Sequence, residues 1–102
     1  MQPSELLDST SISVSNAASS KKRVLEEAAA LLSSTIPDVE QEAIYERLLE
    51  RERLGSTGVG HGVALPHARI DGLQRAYGAF LQLADGVDYD AIDDAAVDLV
   101  FA

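Results

Sequence analysis

Residues 51–67 read Arg-Glu-Arg-Leu-Gly-Ser-Thr-Gly-Val-Gly-His-Gly-Val-Ala-Leu-Pro-His, and this stretch holds both histidines of the chain. His67 closes it, directly after Pro66 and the apolar run Val63-Ala64-Leu65. Proline fixes its own φ and confines the residue before it to extended geometry, so His67 should leave a rigid strand end. An imidazole with a pKa near ~6.5 is largely neutral at neutral pH, and one ring nitrogen can then act as a nucleophile. Phosphoryl acceptance suits such a group, provided that the other nitrogen is held as a donor. By residue type and position alone, an ordinary half-buried histidine fits His67 equally well.

Gly55, Gly58, Gly60 and Gly62 precede it. Glycines allow left-handed backbone and close approach, and the successive amides from Gly55 to Gly60 could cradle an anion. Ser56 and Thr57 would add hydroxyl donors. The nucleotide motifs fail on their own terms. A Walker A loop needs Lys and Ser or Thr where His61 and Gly62 stand. A dinucleotide fingerprint needs a third glycine where Val63 stands, and it opens a helix after a strand, the reverse of the order expected here. His61 and His67, with Asp71 as the nearest downstream carboxylate, are a weak basis for zinc, and no metal or cofactor is expected. The run Asp85-Gly86-Val87-Asp88-Tyr89-Asp90 lacks the EF-hand positions and reads as a solvated turn. On the same grounds Arg51 reads as a solvated helix residue paired with Glu46 or Glu50.

The elements that must position these groups follow from periodicity. Ser20 should cap a helix whose apolar stripe is Val24, Leu25, Ala28, Leu31 and Leu32, ending near Ser33–Ser34. A second helix is expected from Asp38, with Gln41 as capping-box partner, to Gly55. It pairs Ile44 with Leu48 and Tyr45 with Leu49, and its polar face carries Glu42, Glu46, Arg47, Glu50 and Arg51. Strands are expected at Val63–Pro66, Ala76–Leu83 and Val97–Phe101, with an acidic loop from Asp85 to Asp94. Leu6, Leu7, Ile12 and Val14 suggest an additional short strand or extended arm. Helices followed by strands imply an α/β or α+β domain. Lys21, Lys22 and Arg23 read as a solvated helix start.

The chain has 102 residues, enough for one domain, and no cysteine, so neither a disulfide framework nor a thiolate metal site is available. Its net charge of −9 opposes nucleic acid and anionic lipid and favours a partner with a basic rim. No apolar run approaches the roughly 18 residues that span a bilayer, and no secretion signal is visible, so a cytoplasmic location is expected. The chain stops at Phe101-Ala102, at an apolar strand. A further C-terminal portion is therefore expected, and strands left bare by its absence should promote self-association.

The segment from Arg51 to His67 resembles the signature of the type-2 IIA domains of the bacterial phosphoenolpyruvate:sugar phosphotransferase system. That family includes mannitol and fructose IIA domains and nitrogen-regulatory IIA proteins. The resemblance runs from about Ser19 to the end. The helix start at residues 20–26 and the segment from Tyr89 to Phe101 are most similar to the nitrogen-regulatory branch. It implies an α/β fold with a mixed β-sheet flanked by helices, here lacking the C-terminal helices. The domain would cover residues 20–102, incomplete at its C-terminus, with residues 1–19 as a partly mobile arm. The family's phosphorylated histidine matches His67, and its phosphate-binding arginine matches Arg51, with Arg53 able to substitute or assist. Gly55, Ser56, Thr57, Gly58, Gly60 and His61 would form the phosphate loop, His61 standing where the family has Asn. A second histidine that many members carry further on has no counterpart here. The implied function is that of a phosphocarrier rather than a stand-alone enzyme. It would accept a phosphoryl group from an HPr-like donor, in nitrogen- or potassium-related regulation, with transporters or kinases as targets. The alternatives are a sugar-specific fructose or mannitol component, or a regulatory binding protein without onward transfer.

Overall fold

The computed structural model describes residues 12–36, 38–70, 77–91, 93 and 95–102. Strand β1, Ile12–Asn16, leads into helix α1, Lys21–Ser33. Ser20 adopts extended backbone and its hydroxyl accepts the Arg23 N–H at 3.2 Å, as an N-cap should. Val24, Leu25, Ala28, Ala29 and Leu32 turn inward as the buried stripe. At the other end the hydroxyls of Ser33, Ser34 and Thr35 donate to the carbonyls of Ala30, Leu31 and Leu32, and main-chain N–H groups of Ser34, Thr35 and Ile36 also close on Ala30 and Leu32.

Helix α2 spans Gln41–Arg53, three residues later than its expected start at Asp38. Asp38 has φ +61°, outside the helical region, so the expected capping box does not form. Glu40 occupies the N-cap without a side-chain bond. Ile44, Leu48 and Glu52, spaced four apart, form the buried face.

The remaining strands are β2, Gly58–Gly60; β3, Val63–Ala64; β4, Phe80–Val87; and β5, Val97–Phe101. With β1 they make one mixed sheet in the order β1-β4-β5-β3-β2. The pairs β1–β4 and β3–β5 are parallel, while β4–β5 and β2–β3 are antiparallel. Leu81 pairs with Val100 and Val87 with Val97, and all four join the buried core with the helix stripes. The neighbouring pair Gln82–Leu99 lies on the opposite, exposed face. This is the expected α/β arrangement, a mixed sheet with helices packed on it.

Strand β4 corrects the expected span. It begins at Phe80 and carries Asp85, Gly86 and Val87 out of the expected acidic loop, because Val87 has a buried partner in Val97. An irregularity between Gln82 and Val87 accommodates this, and Gly86 sits there so close to Ala96 that an added Cβ would lie 2.8 Å from its methyl. The glycine-rich loop itself contains β2, and only Val63 and Ala64 of the expected strand Val63–Pro66 join the ladder. Of the expected N-terminal strand, Ile12 and Val14 lie in β1, whereas Leu6 and Leu7 fall outside the described residues, as does Ala76. Among the described residues no helix is long and apolar enough to cross a membrane.

Candidate functional site

His67 emerges two residues after Leu65, held in place by the fully buried Pro66. Its ring is exposed, and Nδ1 lies 3.0 Å from the Leu65 carbonyl oxygen. A carbonyl only accepts, so in this contact Nδ1 carries the proton and Nε2 is left with the lone pair. Beside the ring is a cleft of about 140 Å3 walled by Leu32, Ile36, Ile44, Leu48, Ile70 and Tyr77. The imidazole therefore has an apolar wall on one side.

Arg51 lies in the last turn of α2, and its Nη1 donates to the Gly55 carbonyl at 2.8 Å. It has no carboxylate partner among the described residues, so the expected pairing with Glu46 or Glu50 is absent; Glu50 instead lies 4.0 Å from Arg47. The remaining guanidinium N–H groups are available to an anion. Among the described residues no hydrogen bond joins Arg51 to His67. Arg53 points elsewhere: it lines a groove with Lys22, Tyr45 and Leu49 on the outer side of the two helices.

The loop is organised inward. The Gly55 N–H bonds to the Glu52 carbonyl, the Thr57 N–H to the Glu52 carboxylate, and the Gly58 N–H to the Ser56 hydroxyl. Ser56 Oγ donates to the Tyr89 carbonyl at 2.9 Å, and Thr57 Oγ1 donates to Glu52. The expected hydroxyl donors thus have partners within the protein, as do three of the amides. Gly58 packs against Ala91, leaving no room for a Cβ.

His61 and Gly62 form the tight connection between β2 and β3, both with positive φ, +55° and +77°. Two-residue connections with both φ positive favour Asn-Gly, which gives a conformational reason for an Asn at position 61. The His61 N–H donates to Asp93 Oδ2 at 3.1 Å. Main-chain donation from Ala95 and His61 holds the Asp93 carboxyl below its ordinary value. Among the described residues no group of three His, Asp or Glu side chains could hold a metal ion; Asp71 lies outside them.

Sequence reasoning missed the centre of this region. The Glu52 side chain is only 3% exposed and faces Lys21 Nζ at 3.0 Å and the Tyr89 hydroxyl at 3.3 Å. Lys21 also sits 4.8 Å from the Tyr89 ring centroid, within cation–π range. Burial raises the Tyr89 phenol well above its ordinary value; the Thr57 hydrogen bond opposes this and the Glu52 charge adds to it. The signal was available: continuing the Ile44–Leu48 spacing by four lands a carboxylate on the buried face.

Similarity to known proteins agrees with this architecture. Residues 5–102 match the family described as "Phosphoenolpyruvate-dependent sugar phosphotransferase system, EIIA 2". A nitrogen regulatory protein of Pseudomonas aeruginosa is 50% identical over 82 residues, covering 80% of this chain and 53% of that protein. The chain spans about half the length of the curated relatives it matches. The crystal structure of nitrogen regulatory protein IIA-Ntr from Neisseria meningitidis superposes with a TM-score of 0.88 at 41% identity, over 95% of this chain and 66% of that one. The IIA component in an Escherichia coli complex of mannitol enzyme IIA with phosphorylated enzyme IIB superposes at 0.75 with 26% identity, over 93% and 67%. With the sheet order, the Pro66-His67 presentation and these matches in place, the chain belongs to the EIIA 2 family of the phosphoenolpyruvate-dependent sugar phosphotransferase system.

Proposed function

We propose that this chain is a phosphocarrier unit that accepts a phosphoryl group on Nε2 of His67 from a histidine-phosphorylated, HPr-like donor. The observation that carries the reading is the Nδ1–Leu65 carbonyl contact, which leaves Nε2 exposed with its lone pair. Nε2 attacks phosphorus in line, the donor's P–N bond breaks, and its electron pair returns to the donor ring. The donor's phosphorylated ring starts protonated on its other nitrogen and leaves as neutral imidazole. His67 keeps its Nδ1 proton and becomes the protonated phosphoimidazole. The bond broken and the bond formed are alike, so catalysis is mainly positioning and charge stabilisation. Arg51 supplies the charge, with a planar fork able to meet two equatorial oxygens. Residues Gly55 to Gly60 with His61 shape the backbone around the site.

The names of the relatives support a role in nitrogen-related regulation; regulatory target proteins, transporters or kinases, belong to the same reading. The mannitol complex, in which a IIA component meets a phosphorylated IIB, supports a phosphoprotein as partner. The test is incubation with phosphoenolpyruvate and the donor cascade, read by intact mass. The chain should gain one acid-labile, base-stable phosphoryl group, His61→Ala should gain it too, and His67→Ala should not. Arg51→Lys, which keeps the charge but loses the fork, should slow the gain with little change in melting temperature. Labelling retained in His67→Ala would refute the assignment.

A further inference from the structure

The buried carboxylate of Glu52 is connected to the His67 ring by three hydrogen bonds linked through the backbone of Thr57 and Leu65. Both Glu52 oxygens lie 3.2 Å from the Thr57 N–H, and the Thr57 hydroxyl donates to the same carboxylate. The Thr57 carbonyl accepts the Leu65 N–H at 2.9 Å. The Leu65 carbonyl accepts from Nδ1 of His67 at 3.0 Å. Three contacts therefore separate a fixed negative charge from the nitrogen whose proton decides which face of the imidazole is nucleophilic. Each of these contacts fixes the backbone of the residue that makes the next one, so the anchor bears on where the Leu65 carbonyl stands. Thr57 is 3% exposed and the Glu52 side chain equally buried, so the series begins in the interior.

We propose that Glu52 is a positioning residue for His67, acting through Thr57 and Leu65, with Lys21 and Tyr89 holding the carboxylate in place. A buried carboxylate is costly unless it is paired and fully hydrogen-bonded. Here Lys21, Tyr89 and both donors of Thr57 meet it, so its geometry is over-determined. That rigidity passes to the turn at Gly55–Gly58, whose position sets Leu65 and hence the ring. The arrangement also joins the first turn of α1 to the site, since Lys21 is the first residue of that helix. The consequence for transfer rests on the phosphocarrier reading above, whereas the consequence for the His67 tautomer does not.

The experiment measures the His67 tautomer by 15N chemical shifts of the labelled ring, alongside the rate of phosphorylation by the donor cascade. Two variants remove the anchor: Glu52→Gln, and the double variant Lys21→Met with Glu52→Leu. The double variant leaves no unpaired buried charge and is expected to remain folded. Both should lower the ratio of Nδ1–H to Nε2–H at least about twofold and slow transfer by roughly tenfold to a hundredfold, the range seen for small misplacements. Glu42→Gln, an exposed change in the first turn of α2 away from the anchor, should match the unmodified chain. An unchanged tautomer ratio in both anchor variants, or an equal loss in Glu42→Gln, overturns the proposal. A shifted ratio in a chain that takes up no phosphoryl group supports the positioning role and removes the phosphocarrier reading instead.

Discussion

The two ends of the α1–α2 hairpin are finished in different ways. At one end, where α1 stops and α2 starts, polar groups are met by near neighbours. Ser33, Ser34 and Thr35 each bond to a carbonyl three residues back, Asp38 is exposed with positive φ, and Glu40 caps α2 with no side-chain bond. At the other end, where Lys21 begins α1 and Arg53 ends α2, the partners are distant in sequence. Glu52 meets Lys21 and Tyr89, Ser56 reaches the Tyr89 carbonyl, and Thr57 lies between Glu52 and Tyr89. Local bonds close helix termini with little cost in chain entropy, whereas bonds across more than thirty residues hold separate elements in register. The end that carries Arg51 is the one tied from several directions, whereas the His67 ring lies beside Leu32, Ile36 and Ile44, toward the locally finished end.

This contrast can be broken most strongly at Glu52. Glu52→Ala leaves Lys21 with only the exposed Asp90 carboxylate, 3.9 Å away, and Thr57 without its acceptor, and should cost about 3 kcal/mol, the low end for breaking a buried ion pair. Glu42→Ala, in the first turn of α2 at the opposite end, should stay within about 0.5 kcal/mol. Chemical denaturation of the two variants checks the difference, and equal losses would show that the two ends are tied alike.

A second, smaller effect is expected from pH. The Tyr89 phenol is raised in the folded chain by burial, so the folded state holds its proton more tightly than the unfolded chain does. Both states are protonated below the ordinary phenol value of about 10, and the contribution is fully present there. Above it the unfolded state loses the proton first, and stability should fall by about 1.4 kcal/mol per pH unit towards the folded-state value. Tyr89→Phe should be less stable at neutral pH, through the lost bonds to Glu52 and Thr57, yet show a shallower alkaline decline. Melting curves from pH 8 to about 12 test this, and parallel declines would assign the alkaline sensitivity to other groups.

The smallest effect belongs to the locally finished end. Glu40→Asp would supply the missing N-cap acceptor for α2 and should raise stability by roughly 0.5–1 kcal/mol. The phosphorylation rate should not change, because among the described residues no hydrogen bond or ion pair joins Glu40 to His67 or Arg51. A faster or slower rate in Glu40→Asp would mean that the start of α2 acts on the site.

Much of this protein was legible from its residues, and the division follows the range of the interactions. The cap at Ser20, the stripe of α1, the Ile44–Leu48 face and the span Val97–Phe101 depend on neighbours within a few positions, and sequence periodicity found them. The start of α2 was misplaced because Asp38 and Gln41 have capping-box spacing, while the positive φ of Asp38 keeps it outside the helix. The extent of β4 was misjudged because Asp85 and Gly86 are turn-formers by type, and only the pairing of Val87 with Val97 carries the strand through them. His67 and Arg51 are singled out only by the resemblance of residues 51–67 to the family; by residue type alone an ordinary role fits His67 equally well and Arg51 better. The tautomeric contact to Leu65, the inward bonding of Ser56 and Thr57, and the cluster of Glu52 with Lys21 and Tyr89 could not be read from the sequence. The Leu65 and Thr57 contacts are short in sequence but need the loop's folded conformation, whereas the bonds that join Ser56 to Tyr89 and Glu52 to Lys21 and Tyr89 cross thirty or more positions, and a buried charge is stable only where such partners meet it.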